Sequence, residues 1–185
     1  MWLFSESLYF LLPLLIAGII HHFLIIKFNL ISFLAKPIDL GHTFNGERIL
    51  GKSKTFRGLI IVTTISSLVM WVLSFFFQIP LKFPSAVSGF ILGLGYSLAE
   101  LPNSFFKRRL KVPEGTTPKR SMGIVTYAID QVDSIFGAIV ALNFIYTPTL
   151  LLTLFLFSVG VLLHMTIDAI LYVYGYKKNL LIRRF

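Results

Sequence analysis

Asp130 and Asp133 stand three residues apart in the stretch AIDQVDSIFGAIVAL, at the head of an apolar run, in a chain with only eight acidic residues. Residues at i and i+3 share one helix face, and a carboxylate removed from water costs several kcal/mol unless a cation or hydrogen-bond donors compensate it. A bound Mg²⁺ supplies that compensation. It is held by one or two carboxylates together with substrate phosphates, so the pair raises the question of where phosphate-binding groups lie.

Two polar stretches answer it. The first, KPIDLGHTFNGERILGKSKTFRG from Lys36 to Gly58, packs four glycines and five basic residues into 23 positions. Its glycines let backbone N–H groups converge on an anion, and Lys52, Lys54 and Arg57 supply positive charge. Within it, GERILGKS matches the P-loop pattern letter for letter. A P-loop, however, needs a preceding strand, a following helix and a parallel sheet, and a loop of this length between two membrane segments leaves no room for them. The match is read as accidental. The plainer reading of the whole stretch is a basic loop resting on lipid headgroups.

The second stretch runs from Glu100 through Ser104, Lys107, Arg108, Arg109 and Lys111 to Lys119 and Arg120. As a helix it puts Glu100, Ser104, Lys107 and Arg108 on one face, while Pro102 predicts a kink or restart there. A juxtamembrane anchor is the alternative. Taken together, the glycine-rich basic loop, the acid-Ser-Lys-Arg face and the aspartate pair suit phosphoryl or nucleotidyl transfer, in which Lys and Arg neutralise charge on the transferring group.

The elements that must position these residues are membrane helices. The chain is 56% hydrophobic with 19 Phe and a mean hydropathy of +0.81, outside the range of ordinary soluble domains. About 20 apolar residues cross a bilayer, and five segments reach or approach that length: Ser7 to Phe28, Leu59 to Ile79, Ala86 to Asn103, Ile124 to Tyr146 and Thr149 to Tyr174. The expected fold is an all-α polytopic membrane protein of about five spans. No Lys or Arg precedes Lys27, so the first run reads as a retained span rather than a signal peptide.

The 17 basic residues sort by loop: six from Lys27 to Arg57, Lys82 alone, six from Lys107 to Arg120, and four from Lys177 onward. The positive-inside rule then puts the N-terminus outside, with both basic loops and the C-terminus cytoplasmic. With no Cys, thiolate chemistry is excluded. Nucleic-acid binding calls for aromatic residues interleaved with basic ones in a polar domain, and no such domain exists here.

At these residues a family resemblance emerges. ELPNSFFKRRL followed by DQVDSIFGA resembles the C-terminal signature of the CDP-archaeol synthase family, related to phosphatidate cytidylyltransferases. The matching residues are Glu100, Ser104, Lys107, Arg108, Asp130 and Asp133. The first loop is also similar to the family's first cytoplasmic loop, with Asp39, Gly41, Phe44, Gly46, Arg48, Gly51, Lys54, Thr55, Arg57 and Gly58 in matching places.

The resemblance covers Pro37 to Ala138 and implies a single membrane-embedded domain over residues 1–185. It implies condensation of CTP with a phosphate-headed lipid of the bilayer, giving a CDP-lipid and pyrophosphate with Mg²⁺ as cofactor. It implies catalytic roles for Lys107, Arg108, Asp130 and Asp133, substrate contacts from Asp39, Arg48, Lys54, Thr55, Arg57 and Ser104, and metal contacts from Asp130, Asp133 and Glu100. Two positions depart from the pattern. The family's acid before Ser is commonly Asp after Gly, here Glu100 after Ala99, and the segment from Arg109 to Asp130 is longer and resembles bacterial members. Ether isoprenoid and acyl lipids therefore both stay open.

Two rival readings are a CDP-alcohol phosphatidyltransferase and a non-enzymatic carrier of anionic lipids. The first needs a second Asp-x-x-Asp element that the chain lacks after Asp133. His164 and Asp168, one turn apart in the last span, are either functional or a structural pair. His21 and His22 read as interfacial, and the Gly89/Gly93 GxxxG as a helix-packing motif.

Overall fold

The computed structural model describes residues 2–26, 31–114 and 121–175. Five long helices follow one another: α1 (Trp2–Ile26), α2 (Phe56–Leu73), α3 (Ser85–Arg109), α4 (Ser121–Ile145) and α5 (Leu150–Val173). Between α1 and α2 lie a short 3₁₀ turn (Ser32–Leu34) and a hairpin of β1 (Thr43–Phe44) and β2 (Glu47–Arg48). The stretch from Lys119 to Arg120, the end of the second basic loop, and the basic C-terminal residues from Lys177 lie outside the described residues.

Four helices, α1, α2, α4 and α5, are long and apolar enough to cross a membrane. The expected third span, α3, is long enough but carries too many polar groups to qualify alongside them. Its place in the bundle explains how it is tolerated. At its start, Lys82 caps the last turn of α4, its backbone N–H and its ammonium donating to the Ile145 and Asn143 carbonyls at 2.9 Å each. At its end, α3 meets the loop that leads into α2. It therefore runs the full depth of the bundle, about 37 Å at roughly 1.5 Å per residue.

Glycines let α3 sit between α2 and α4. A Cβ on Gly89 would fall 2.5 Å from the Ser66 carbonyl oxygen, and one on Gly93 would fall 3.0 Å from the Ser66 side chain, so the GxxxG face packs on α2 as its spacing predicted. On the opposite side, a Cβ on Gly95 would fall 2.5 Å from Ala141 Cβ and 2.7 Å from the Gly137 carbonyl of α4. Pro102 does not produce the expected restart: α3 is continuous to Arg109. Packing on both neighbours outweighs the lost backbone hydrogen bond.

The apolar core gathers at the end away from the loops. Tyr9, Phe10, Met70, Leu92, Leu142, Ile145 and Leu152 bury one another there. Outward-facing residues of α5 such as Leu150, Leu154 and Leu162 are exposed, as suits a surface solvated by lipid.

Candidate active site at the loop end of the bundle

The site is assembled from one face of α3, one face of α4 and the first loop. Glu100, Asn103 and Lys107 point from α3 towards Asp130, Asp133 and Ser134 of α4. The Asn103 side-chain amide donates to Asp130 Oδ1 at 2.6 Å and to Asp133 Oδ2 at 2.7 Å. Lys107 forms an ion pair with Asp130. Ser134 donates its hydroxyl to Glu100 Oε1 at 2.8 Å, and its backbone N–H bonds Asp133 Oδ1 at 2.7 Å.

The stripe of α3 that meets α4 thus differs from the expected one. Glu100 and Lys107 belong to it, but Asn103 takes the place foreseen for Ser104 and Arg108, which lie on the flank of the stripe. Ser104 is half-buried, and the Arg108 Nε is buried without a hydrogen-bond partner. Asn103 and Ser134 escaped sequence reasoning. Their signal was positional, at i+3 from Glu100 and at i+4 from Asp130, where a polar side chain in a membrane helix needs a polar neighbour.

The first loop lies against the last turns of α3. It is shaped from inside by Asp39, whose fully buried side chain accepts the backbone N–H groups of Gly41 at 3.0 Å, Leu50 at 3.0 Å and Gly51 at 2.9 Å and pairs with Arg48. Asp39 and Arg48, expected as substrate contacts, thus hold the loop together. Burial by itself would push the Asp39 carboxyl up; the Arg48 guanidinium and the three amides outweigh it and hold the group well below the usual carboxylate range.

A depressed carboxylate stabilises the loop in full at pH values above about 4, and that stability is lost progressively as the pH falls from there through the lower folded value. Asp39→Asn is expected to speed hydrogen exchange at the Leu50 and Gly51 amides about tenfold or more, since hydrogen bonds to a charged acceptor contribute roughly 1.5–3 kcal/mol. Mass-spectrometric exchange at pH 7 measures this.

Thr55, another expected substrate contact, is the N-cap of α2, accepting from Gly58 N–H at 3.2 Å. Arg57 is buried in the first turn of α2. Lys54 reaches from the loop to α3 and pairs with Glu100. It is anchored by Ile38 N–H to the Lys54 carbonyl at 2.8 Å and by Phe56 N–H to the Lys36 carbonyl at 3.1 Å. Burial works against the Lys54 charge, but Glu100 outweighs it and holds the ammonium above the usual lysine value. GERILGKS is no P-loop: its Glu47–Arg48 is half of a two-stranded hairpin, and no helix begins until Phe56.

Asp130 and Asp133 are the residues that could hold a divalent cation. An oxygen from each meets at one point, the Asn103 nitrogen, and two hard oxygen donors so placed suit Mg²⁺. The expected three-acid set with Glu100 does not form: no group of three acidic or histidine side chains with metal-holding geometry occurs among the described residues. Lys54 and Ser134 hold the Glu100 carboxylate instead.

His164 and Asp168 both meet Gln131 of α4. Gln131 donates to Asp168 Oδ2 at 3.0 Å, and His164 Nδ1 lies 3.4 Å from the Gln131 carbonyl. His21 is packed on Gly58, where a Cβ would meet its Nε2 at 3.3 Å.

The chain matches the CarS-like CDP-archaeol synthase family model over residues 1–180. This chain belongs to the CDP-archaeol synthase family. It is 30% identical over 138 residues to a CDP-archaeol synthase of Sulfolobus acidocaldarius, covering 74% of this chain and 77% of that protein. It is 34% identical over 105 residues to one of Thermofilum pendens and 35% identical over 103 residues to one of Saccharolobus islandicus. Against these two the chain spans about half the relatives' length, 45% and 55%.

The fold is that of a solved intramembrane enzyme for archaeal membrane lipid biosynthesis, with a TM-score of 0.64, 24% identity, and coverage of 89% of this chain and 93% of that one. The archaeal origin of these proteins gives no support to a bacterial-type chain. As a member of the CDP-archaeol synthase family with four strongly apolar helices, this is an integral membrane protein. The phosphatidyltransferase reading falls with that membership.

Proposed function

We propose that this protein transfers the CMP moiety of CTP to a membrane lipid bearing a phosphomonoester head, an archaeol-type ether lipid phosphate, with release of pyrophosphate. The observation that carries the reading is the convergence of Asp130 and Asp133 with Lys107, Asn103 and the Lys54–Glu100 pair at one end of the bundle, in a chain of this family. The cationic end is the cytoplasmic one by the positive-inside rule, where CTP is available.

In the reaction an oxygen of the lipid phosphate attacks the α-phosphorus of CTP, and the bond from that phosphorus to the bridging oxygen of the β-phosphate breaks. A phosphomonoester has a second pKa of about 6, so the nucleophile is largely a dianion at neutral pH and needs no general base. Lys54, Arg57, Lys107 and Arg108 hold phosphates, and Asn103 and Ser134 keep the acidic side chains aimed. Asp130 and Asp133 would hold Mg²⁺, which would supply neutralisation of the triphosphate and of the leaving pyrophosphate. The remaining task is alignment of the two phosphates.

A cleft between α1 and α5 offers a mainly apolar surface to lipid chains. Leu11, Leu14 and Leu15 of α1 face Gly160, Leu163 and Ile167 of α5 across it, and it reaches inward to Tyr96 and His164. Lipid chains suit such walls.

Purified protein with Mg²⁺, radiolabelled CTP and a panel of isoprenoid-ether and acyl glycerophosphates is expected to yield a CDP-lipid, identified by mass spectrometry. Absence of product with every lipid phosphate defeats the reading. Calorimetric binding of lipid phosphate with no binding of CTP and Mg²⁺ instead favours the carrier.

A further inference from the structure

Three consecutive cations close α3, and they do three different things. Lys107 pairs with Asp130, Arg108 lies on the flank of the stripe, and Arg109 turns away from the acidic cluster altogether. Its guanidinium grips the hairpin of the first loop. Nη1 donates to the Phe44 carbonyl, while Nη2 donates to the Glu47 carbonyl at 3.0 Å and the Arg48 carbonyl at 2.6 Å. The same group lies over two neighbouring rings, 5.4 Å from the Phe44 centroid and 5.0 Å from that of Phe105, which are themselves 6.3 Å apart.

Three carbonyls and two aromatic faces occupy a planar fork that would otherwise suit a phosphate. The hairpin is built to be gripped. Asn45 (φ 54°) and Gly46 (φ 79°) form its two-residue turn, the asparagine-glycine pair that this tight geometry favours. It presents the carbonyls on either side of the turn to α3.

We propose that Arg109 is a positioning residue, a latch that fixes the glycine-rich loop along the last turns of α3 so that Lys54 is held over the acidic site. The connection is continuous. Arg109 holds the Arg48 carbonyl, the Arg48 side chain pairs with Asp39, and Asp39 gathers the Leu50 and Gly51 amides. Three residues later Lys54 reaches Glu100. A second, weaker tie runs in parallel, from Lys52 N–H to Glu114 Oε1 at 2.9 Å. The loop is thus pinned to α3 at both ends, through Lys54 at Glu100 and through the hairpin at Arg109.

The kinetic part of the test rests on the proposed cytidylyl transfer; the proteolytic part does not. Arg109→Lys keeps the charge and removes the fork and the stacking plane. In nanodiscs, trypsin is expected to cut Arg109→Lys after Arg48 or Lys52 about tenfold faster than the wild-type chain, with the thermal midpoint of the bundle unchanged. In the assay the KM for CTP is expected to rise about tenfold with kcat within threefold of wild type. Arg109→Ala should behave alike and more strongly.

Wild-type rates of cleavage in both variants overturn the latch, whatever the substrate proves to be. A fall in kcat with unchanged KM and unchanged cleavage also overturns it, and makes Arg109 a contact of the reacting phosphates. Faster cleavage in a protein that forms no CDP-lipid supports the latch and rejects the activity.

Discussion

Asp133→Asn is expected to lower CDP-lipid formation by about 10²–10³-fold, the scale seen when a single preorganised electrostatic partner is removed from a reaction centre. The side chain accepts from Asn103 at 2.7 Å and from the Ser134 N–H at 2.7 Å. The two donors bind different oxygens, so an asparagine with its carbonyl oxygen towards Asn103 keeps the bond across the helix pair and gives up the local one to the Ser134 N–H. What disappears is one of the two negative charges that converge on the Asn103 nitrogen and that fit a divalent cation. The variant should therefore retain its thermal midpoint and lose turnover. Activity within tenfold of wild type rejects a metal role for Asp133.

Gly137→Val is expected to be equally damaging by a different route. Gly95 and Gly137 face each other where α3 and α4 approach most closely, and a Cβ on Gly137 would run into Ala99 Cβ and the Gly95 carbonyl. Inserting a branched side chain there costs about 1–3 kcal/mol in overpacking and forces the helices apart. The contacts that define the site cross this interface: Asn103 to both aspartates, Lys107 to Asp130 and Ser134 to Glu100.

A separation of 1 Å can cost on the order of 10²-fold in rate. Gly137→Val should thus lose about that much activity together with several degrees of thermal stability, whereas Gly137→Ala should fall between it and wild type. Unchanged activity and stability in Gly137→Val contradict the close approach of α3 and α4.

Both predictions concern residues whose importance reads differently in sequence and in structure. Asp133 is conspicuous in the chain, because a carboxylate in an apolar run demands compensation. Gly137 is not, because a glycine in a membrane helix is common, and nothing along the chain says that Gly95 faces it. The same contrast divides the candidate site. Asp130, Lys107 and Lys54 were legible from charge placed beside apolar runs.

Asn103 and Ser134 were hidden, since neutral polar residues are unremarkable until a partner across the helix interface is known. Asp39, Arg48 and Thr55 matched a family pattern as site residues, and the structure adds that they shape the loop and cap α2. A loop that must hold a fixed form needs internal carboxylate and hydroxyl acceptors as much as it needs ligands.

By itself the sequence determined the class of this protein: a helical membrane chain whose cations gather in the loops, with a carboxylate pair at the head of an apolar run. Hydropathy and charge are properties of single residues and short windows, and the bilayer converts them directly into spans and sides. The tertiary structure alone decided that Glu100 is held by Lys54 rather than grouped with the aspartates, that Asn103 rather than Ser104 completes the α3 stripe, and that Arg109 grips the hairpin. Those outcomes depend on how α3 is rotated between α2 and α4. That rotation is set by glycines packing against residues 19 to 46 positions away, a pairing no local pattern encodes.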